Sequence, residues 1–372
     1  MEVQTVSAFT RPYDYWYDRY QTYYREGLRA HCAASGTQFE AIPMTRLSWP
    51  LGTVRHVRDR YLSRLPGTLA TSLLDKTVHT LEGPARTPSS FFHNAVGQYV
   101  IRTTGGATCR VCVDAADYPD LRSDELVSWS DLYFKANLWP SRTYPSNVLP
   151  IVNGDPLILN RIPMLRSFRP QAKERDICFI VRVWGGRNEL EGIEHNLRLL
   201  EAINRARCSK VLIAYLVAGD VEAVSRRLRS VGVTCTTRSI RPKTLWRLMG
   251  SSRLNVIRLG MHNCIPWRMA GALAMGACVV LDQPPIAAWP EPLRENVNFL
   301  NLGAGTVESP VADSGCYEDI PAKIDEWLSE RDKLERIMAT NGDYFDRLVE
   351  PQRVGEGILA AVEHRLSGSL RG

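Results

Sequence analysis

The sequence predicts an α/β protein carrying a doubly wound parallel sheet, and three observations support that expectation. Residues 254–285, LNVIRLGMHNCIPWRMAGALAMGACVVLDQPP, read as strand, loop, helix, strand: two short apolar runs flank a helix dense in Ala and Gly. Upstream the same alternation recurs, with strands over 177–183, 211–217 and 233–237 and helices over 193–206, 221–231 and 244–249. Finally, a 372-residue chain with 44% hydrophobic residues can bury more than one core. Pro140, Pro145, Pro150, Pro156, Pro163 and Pro170 interrupt any long element between the two halves, so the domain boundary is placed near residue 165. The expected organisation is a first domain over 1–165, a second over 166–350 and a final helix over 351–372.

The elements follow in order. Residues 3–9 form a first strand, and the segment after it is crowded with aromatic residues. Tyr13, Tyr17, Tyr20 and Tyr24 recur at helical spacing on one face, with Tyr15, Trp16 and Tyr23 beside them. Core packing explains such a stripe; a stacking floor for a sugar or base, involving Tyr13, Tyr15 and Trp16, is the functional reading. A short strand is expected over 39–44, a basic amphipathic helix over 54–65 and a Pro- and Gly-rich loop over 81–90. Residues 108–113 form a strand that ends in Asp114-Ala115-Ala116-Asp117. One of these carboxylates can cap the next helix, or the pair can supply a general base or metal ligands.

In the second half, Ile193, Leu197, Leu200 and Ile203 share a face of their helix. The 177–183 strand runs into Trp184-Gly185-Gly186-Arg187. Paired glycines there let backbone approach a ligand, with Arg182 and Arg187 in reach of phosphates; a plain turn is the equal alternative. Arg268 opens the helix of the central βαβ unit, and parallel sheets bind ligands at the carboxyl ends of their strands. A guanidinium at a helix start opposes the dipole, which an anionic ligand or a neighbouring carboxylate would relieve. One helix is expected over 323–338 and another over 354–366, after Pro351.

Composition bounds the function. A formal net charge of +6 suits phosphorylated substrates and equally permits nucleic acid or an anionic membrane surface. The nine cysteines are scattered, only Cys109 and Cys112 stand at C-x-x-C spacing, and no second pair completes a zinc set. No metal and no cofactor are expected. The dispersed thiols favour a reducing cytoplasm. No apolar run approaches the ~20 residues that span a bilayer, so a soluble protein without integral membrane contact is expected.

The run from Gly260 through Arg268-Met-Ala-Gly-Ala-Leu-Ala-Met-Gly-Ala to Asp282 resembles the donor-site segment of GT-B glycosyltransferases, above all the exostosin-like and capsule-type families. In those families an Arg opens a helix reading roughly R-x-x-E-A-L-A-x-G-A. The Glu of that pattern, which holds the ribose, is Gly271 here. The order of Asp114–Asp117 and the later Asp131-Leu-Tyr-Phe-Lys135 also resembles those families, and so does Gly186-Arg187.

The resemblance implies two Rossmann-like domains facing a cleft, the first for the acceptor and the second for a nucleotide-sugar. It implies a metal-independent transferase whose donor site draws on Arg268, Arg187, Arg258, Gly260, Gly186, Gly271 and Asp282. Asp114, Asp117, His31 and His93 are the candidates for a catalytic base. The acceptor is expected to be a glycan, with a hydroxylated DNA base as the alternative. A non-catalytic nucleotide-sugar-binding module and a sugar-nucleotide epimerase also fit the fold.

Overall fold

The structure, a computed structural model, describes residues 2–10, 15–43, 95–183, 190–216, 221–305 and 314–368. The helix expected over 54–65 and the loop expected over 81–90 lie outside these residues. The chain divides into two compact units. Unit 1 is Met1–Pro156 with Ala288–Pro290 and Leu348–Gly372, and unit 2 is Leu157–Ala287 with Glu291–Arg347. Both are α/β units on six-stranded, mainly parallel sheets.

In unit 1, β1 (Val3–Thr10) leads into α1 (Tyr15–Ser35), and the chain returns as β2 (Gln38–Pro43), parallel to β1. A hairpin follows, formed by β3 (Val96–Thr103) and β4 (Thr108–Asp114). Its turn uses Gly106 at φ 79°, a conformation that suits glycine. β3 was not anticipated from the sequence, and it runs antiparallel to both its neighbours, β1 and β4. Consequently β4, β5 (Leu132–Lys135) and β6 (Val148–Pro150) point the same way as β1 and β2. Their carboxyl ends, Asp114 and Lys135 included, share one edge with Thr10. Between β4 and β5 lies α2 (Asp124–Trp129), whose N-cap Ser123 accepts from the Leu126 amide.

Where its side chains are described, the aromatic stripe of α1 packs inward. Tyr17, Tyr23 and Tyr24 are buried and Tyr20 is half-buried. Each buried phenol donates to a backbone carbonyl: Tyr17 to Phe9 at 2.6 Å, Tyr24 to Val152 at 2.9 Å, and Tyr23 to Val349. The last helix, α10 (Pro351–Gly368), lies on α1 with backbone against backbone. A Cβ at Gly27 would stand 2.0 Å from the Pro351 carbonyl oxygen, and one at Gly355 2.5 Å from the Gly27 oxygen.

Unit 2 begins with the short helix α3 (Ile162–Arg166) and then alternates regularly. The order is β7 (Arg175–Val183), α4 (Leu190–Arg205), β8 (Lys210–Leu216), α5 (Val221–Ser230), β9 (Thr234–Thr236), α6 (Pro242–Gly250), β10 (Ser252–Ile257), α7 (Arg268–Ala274), β11 (Cys278–Leu281) and β12 (Phe299–Asn301). All six strands are parallel, in the spatial order β12-β11-β10-β7-β8-β9. This is the doubly wound arrangement expected from the alternating pattern. Ile177, Phe179 and Val181 of β7 share a core with Leu197, Leu200 and Ile203 of α4, each side chain contributing ~1.5–3 kcal/mol by burial.

The helix expected over 323–338 is two helices, α8 (Ile320–Ser329) and α9 (Arg331–Tyr344). Glu330 leaves the helical region at ψ 58°. It ends α8 by giving its amide to the Trp327 carbonyl and starts α9, where its carboxylate takes Lys333 at 2.8 Å.

Candidate functional site

A doubly wound sheet winds outward in both directions from one point, and the crevice outside the carboxyl ends of the strands there is where ligands bind. In unit 2 that point lies between β7 and β10. β7 ends at Val183, and the residues after it, with Gly186 and Arg187, lie outside the described residues. β10 ends at Ile257, and Arg258, Leu259 and Gly260 lead through a tight loop to α7.

Arg268 is the first residue of α7 and is half-buried. The ladder between β7 and β10 ends at Val256–Phe179, and the next β7 carbonyl, that of Ile180, accepts from the Arg268 guanidinium. The side chain thus reaches β7, one of the two strands that flank the switch point. Arg258 directly follows β10, ten residues before Arg268, and its side chain is 28% exposed. In the loop between them, His262 and Asn263 both adopt left-handed backbone (φ 54° and 52°), which is uncommon for residues with a Cβ. Gly260 closes this loop by donating its amide to the Cys264 carbonyl at 2.9 Å. A Cβ there would meet Cys264 Sγ at 2.5 Å.

Asp282 is buried just beyond β11. One carboxylate oxygen accepts from the Leu259 amide at 3.1 Å; the other meets His195 Nε2 at 3.0 Å and stands 3.9 Å from Arg258 Nε. His195 Nδ1 in turn meets the Tyr317 hydroxyl at 2.6 Å. His195 and Tyr317 are both buried, and sequence reasoning singled out neither. The only signal was a histidine inside an apolar helix, and its partners lie 87 and 122 residues away.

Gly271 is buried within α7. A Cβ there would lie 2.5 Å from Trp246 Cη2 and 2.6 Å from Cζ3, so the indole of α6 fills the space that a side chain at this position would need. Gly271 therefore serves helix packing at a place where the resembling families carry a ribose-binding Glu.

In unit 1, Asp114 is wholly buried and its oxygens are occupied. Oδ1 accepts from the Ala116 amide at 2.9 Å and lies 3.2 Å from Lys135 Nζ, and Oδ2 accepts from Tyr133 at 2.8 Å. Lys135 is also wholly buried and donates to the Ala116 carbonyl at 3.0 Å; desolvation pushes its pKa down and Asp114 opposes the fall. Asp117, three residues on, is half-buried and its carbonyl accepts from Asn137.

His31 is not brought to this edge. Tyr17, near the start of α1, bonds to Phe9 at the end of β1, whereas Thr37, just after α1, bonds to Val3 at its beginning. His31 belongs to the last turn or so of α1 and so lies toward the opposite edge, ~24 Å along the helix axis from its start. Tyr15 and Trp16 occupy the first turn of α1, at the carboxyl end of β1. Tyr13 and His93 lie outside the described residues.

A cavity of about 680 Å³ opens elsewhere in unit 2. It lies against the strand starts, where Lys173, Arg253 and Gly276 face Arg331, Leu334 and Met338 of α9, and none of the expected donor residues lines it. Among the described residues, no three His, Cys, Asp or Glu side chains group as a metal site requires, and no helix is long and apolar enough to cross a membrane.

No known family's model matches the chain, and no curated protein matches it. Solved structures do resemble it in backbone course. A glycosyltransferase from Rickettsia africae ESF-5 is 11% identical, with 98% of each chain covered and a TM-score of 0.46. Anabaena Alr3699/HepE, solved with UDP and glucose, is 12% identical over 97% of this chain and 100% of that chain, at a TM-score of 0.43. MurG from Acinetobacter baumannii is 12% identical over 96% and 98%, at a TM-score of 0.38. None of these three names denotes an exostosin-like or capsule-type enzyme.

Proposed function

We propose that the chain transfers a sugar from a nucleotide-sugar donor to an acceptor hydroxyl, with the diphosphate held by unit 2 and no metal ion required. The observation that carries this reading is the placement of Arg268. It opens the helix of the segment that resembles glycosyltransferase donor sites, and its guanidinium reaches the β7 backbone at the switch point of a doubly wound sheet. Cleavage of the bond between sugar and diphosphate leaves negative charge on the leaving oxygen, and fixed cations stabilise that charge as it forms. Arg268 and Arg258 are assigned this work, with Arg187 as a third cation.

Unit 1 is assigned the acceptor, a glycan hydroxyl. An inverting transfer needs a base there, and among the described residues Asp117 is the candidate. It follows β4 at the carboxyl edge and is half-buried, while Asp114 is locked by three bonds and His31 lies toward the other edge. Incubation with UDP-, GDP- and TDP-sugars, followed by assay of released nucleoside diphosphate, tests the reading. Release from one donor supports it, and no release with any donor and a broad set of glycan acceptors removes it. A steep fall of duplex-DNA binding with salt would move the acceptor from glycan to DNA.

One observation favours a second reading, a nucleotide-sugar-binding module without catalysis. Trp246 fills the space where the resembling families place their ribose-binding Glu. Thermal stabilisation by a nucleotide-sugar without turnover would identify that module.

A further inference from the structure

The carboxyl edge of unit 2 contains a buried polar chain in which Asp282, an expected donor residue, is joined by three groups that the donor reading does not use: Tyr317, His195 and the Leu259 amide. Each link is short, at 2.6, 3.0 and 3.1 Å, and the three side chains are at most 4% exposed. These groups come from four separate places in the fold. Tyr317 sits in the turn Ser314–Tyr317 before α8, His195 in α4, Asp282 after β11 and Leu259 after β10. A carboxylate buried to this extent is costly unless its lone pairs are met, and here the imidazole and a loop amide meet them. Arg258, at 3.9 Å, adds charge but is too distant for a hydrogen bond.

The chemistry gives the chain a direction. With a neutral imidazole, the Tyr317 hydroxyl donates to Nδ1 and Nε2–H donates to Asp282, so every member is satisfied without a net proton. Asp282 is then left with one oxygen for the loop. The loop it grips is the one that leaves β10 with Arg258, turns through two left-handed residues and enters α7 with Arg268. Among the described residues, the hydrogen bonds of His195 and Tyr317 lead to that loop through Asp282.

We propose that His195 is a positioning residue which, steadied by Tyr317, acts through Asp282 to hold the β10 exit loop and Arg258 in register for a nucleoside diphosphate. This rests on the donor reading above. The arrangement has the logic of an outer partner that fixes the orientation of a group which itself meets the ligand's neighbourhood.

The test uses the full chain, with UDP and inorganic pyrophosphate as probes and amide hydrogen exchange of Leu259 in the free protein as a ligand-independent measurement. His195→Leu is expected to weaken the binding of the better probe at least tenfold and to lose Leu259 protection. His195→Gln, whose Nε2 can replace the imidazole Nε2, is expected to stay within threefold of wild type. Tyr317→Phe keeps the His195–Asp282 bond, serves as the milder variant if His195→Leu does not fold, and is expected to fall between the two. Unchanged Leu259 protection in His195→Leu, or in Tyr317→Phe where only that variant folds, overturns the positioning role whatever the probes do. Probe affinity that survives either variant while Leu259 protection falls overturns the link to the diphosphate. If the wild-type chain binds neither these probes nor GDP or TDP, the donor reading fails and takes the proposal with it, whereas the preceding outcomes leave the donor reading standing.

Discussion

At position 271 two effects of opposite sign compete. Replacing a glycine inside a helix by alanine normally stabilises by ~1 kcal/mol. Here the new Cβ would lie 2.5 Å from the Trp246 ring, and forcing extra volume into a packed site costs ~1–3 kcal/mol. Gly271→Ala is therefore expected to lower the urea midpoint, and Trp246→Leu in the same chain to reverse the sign; a stabilising Gly271→Ala on its own would refute the packing account. At Asp114 the outcome is one-sided. Lys135→Met leaves a wholly buried carboxylate without its cation, and breaking such a pair costs ~3–5 kcal/mol, read as a lower unfolding midpoint. Arg268→Ala tests the proposed diphosphate contact: folding by circular dichroism is expected to hold while nucleotide affinity falls about tenfold or more, since a charged contact contributes ~1.5–3 kcal/mol. Residue placement was legible where it follows from local spacing, as for Arg268 at the head of its helix. It was illegible where the partner is remote: nothing near Gly271 in sequence announces Trp246, and nothing near His195 announces Asp282.

Elements show the same division between local and remote causes. The strand and helix alternation of unit 2 is a local pattern of apolar residues, and it gave the elements of the sheet in order. Strand direction is not local: β3 carries ordinary strand residues, and its antiparallel course depends on which neighbours it finds. Tyr23 was placed beside the α1 stripe, yet it is buried, because Val349, 326 residues away, supplies its carbonyl partner. A pH prediction belongs at this scale. The five-residue π-helix Phe345–Val349 is tied to α3 and the residues after it through Asp346, which accepts from Arg169 at 2.6 and 2.9 Å and from Arg166 at 2.6 Å. Arg169, then Arg166, hold its carboxyl below the ordinary carboxylate range. A folded-state pKa that is depressed contributes stability above the unfolded value and loses it as pH falls through the folded one. Unfolding measured from about pH 5 down to about pH 2 should therefore show wild type losing more stability than Asp346→Asn, and parallel curves would remove the clasp as an acid-sensitive element.

At the scale of the molecule, the chain leaves unit 1 at Pro156, touches it again at Ala288–Pro290 and returns at Leu348, so unit 1 is closed by residues far along in the sequence. Its last contribution, α10, buries Val354, Ile358, Leu359 and Val362, and seats its backbone against Gly27 of α1. At ~1.5–3 kcal/mol for each buried side chain, those four contribute ~6–12 kcal/mol. That equals the whole stability of a typical domain, ~5–15 kcal/mol. Removing residues 351–372 is accordingly expected to unfold unit 1, while the core of unit 2, which includes no residue of α10, keeps its protection. Hydrogen exchange followed by peptide mass spectrometry distinguishes the outcomes. Exchange confined to α1 and β1–β6, with β7, β8, β10 and β11 protected, supports two separately cored units. Uniform loss across both sheets, or full protection of unit 1 without α10, contradicts it.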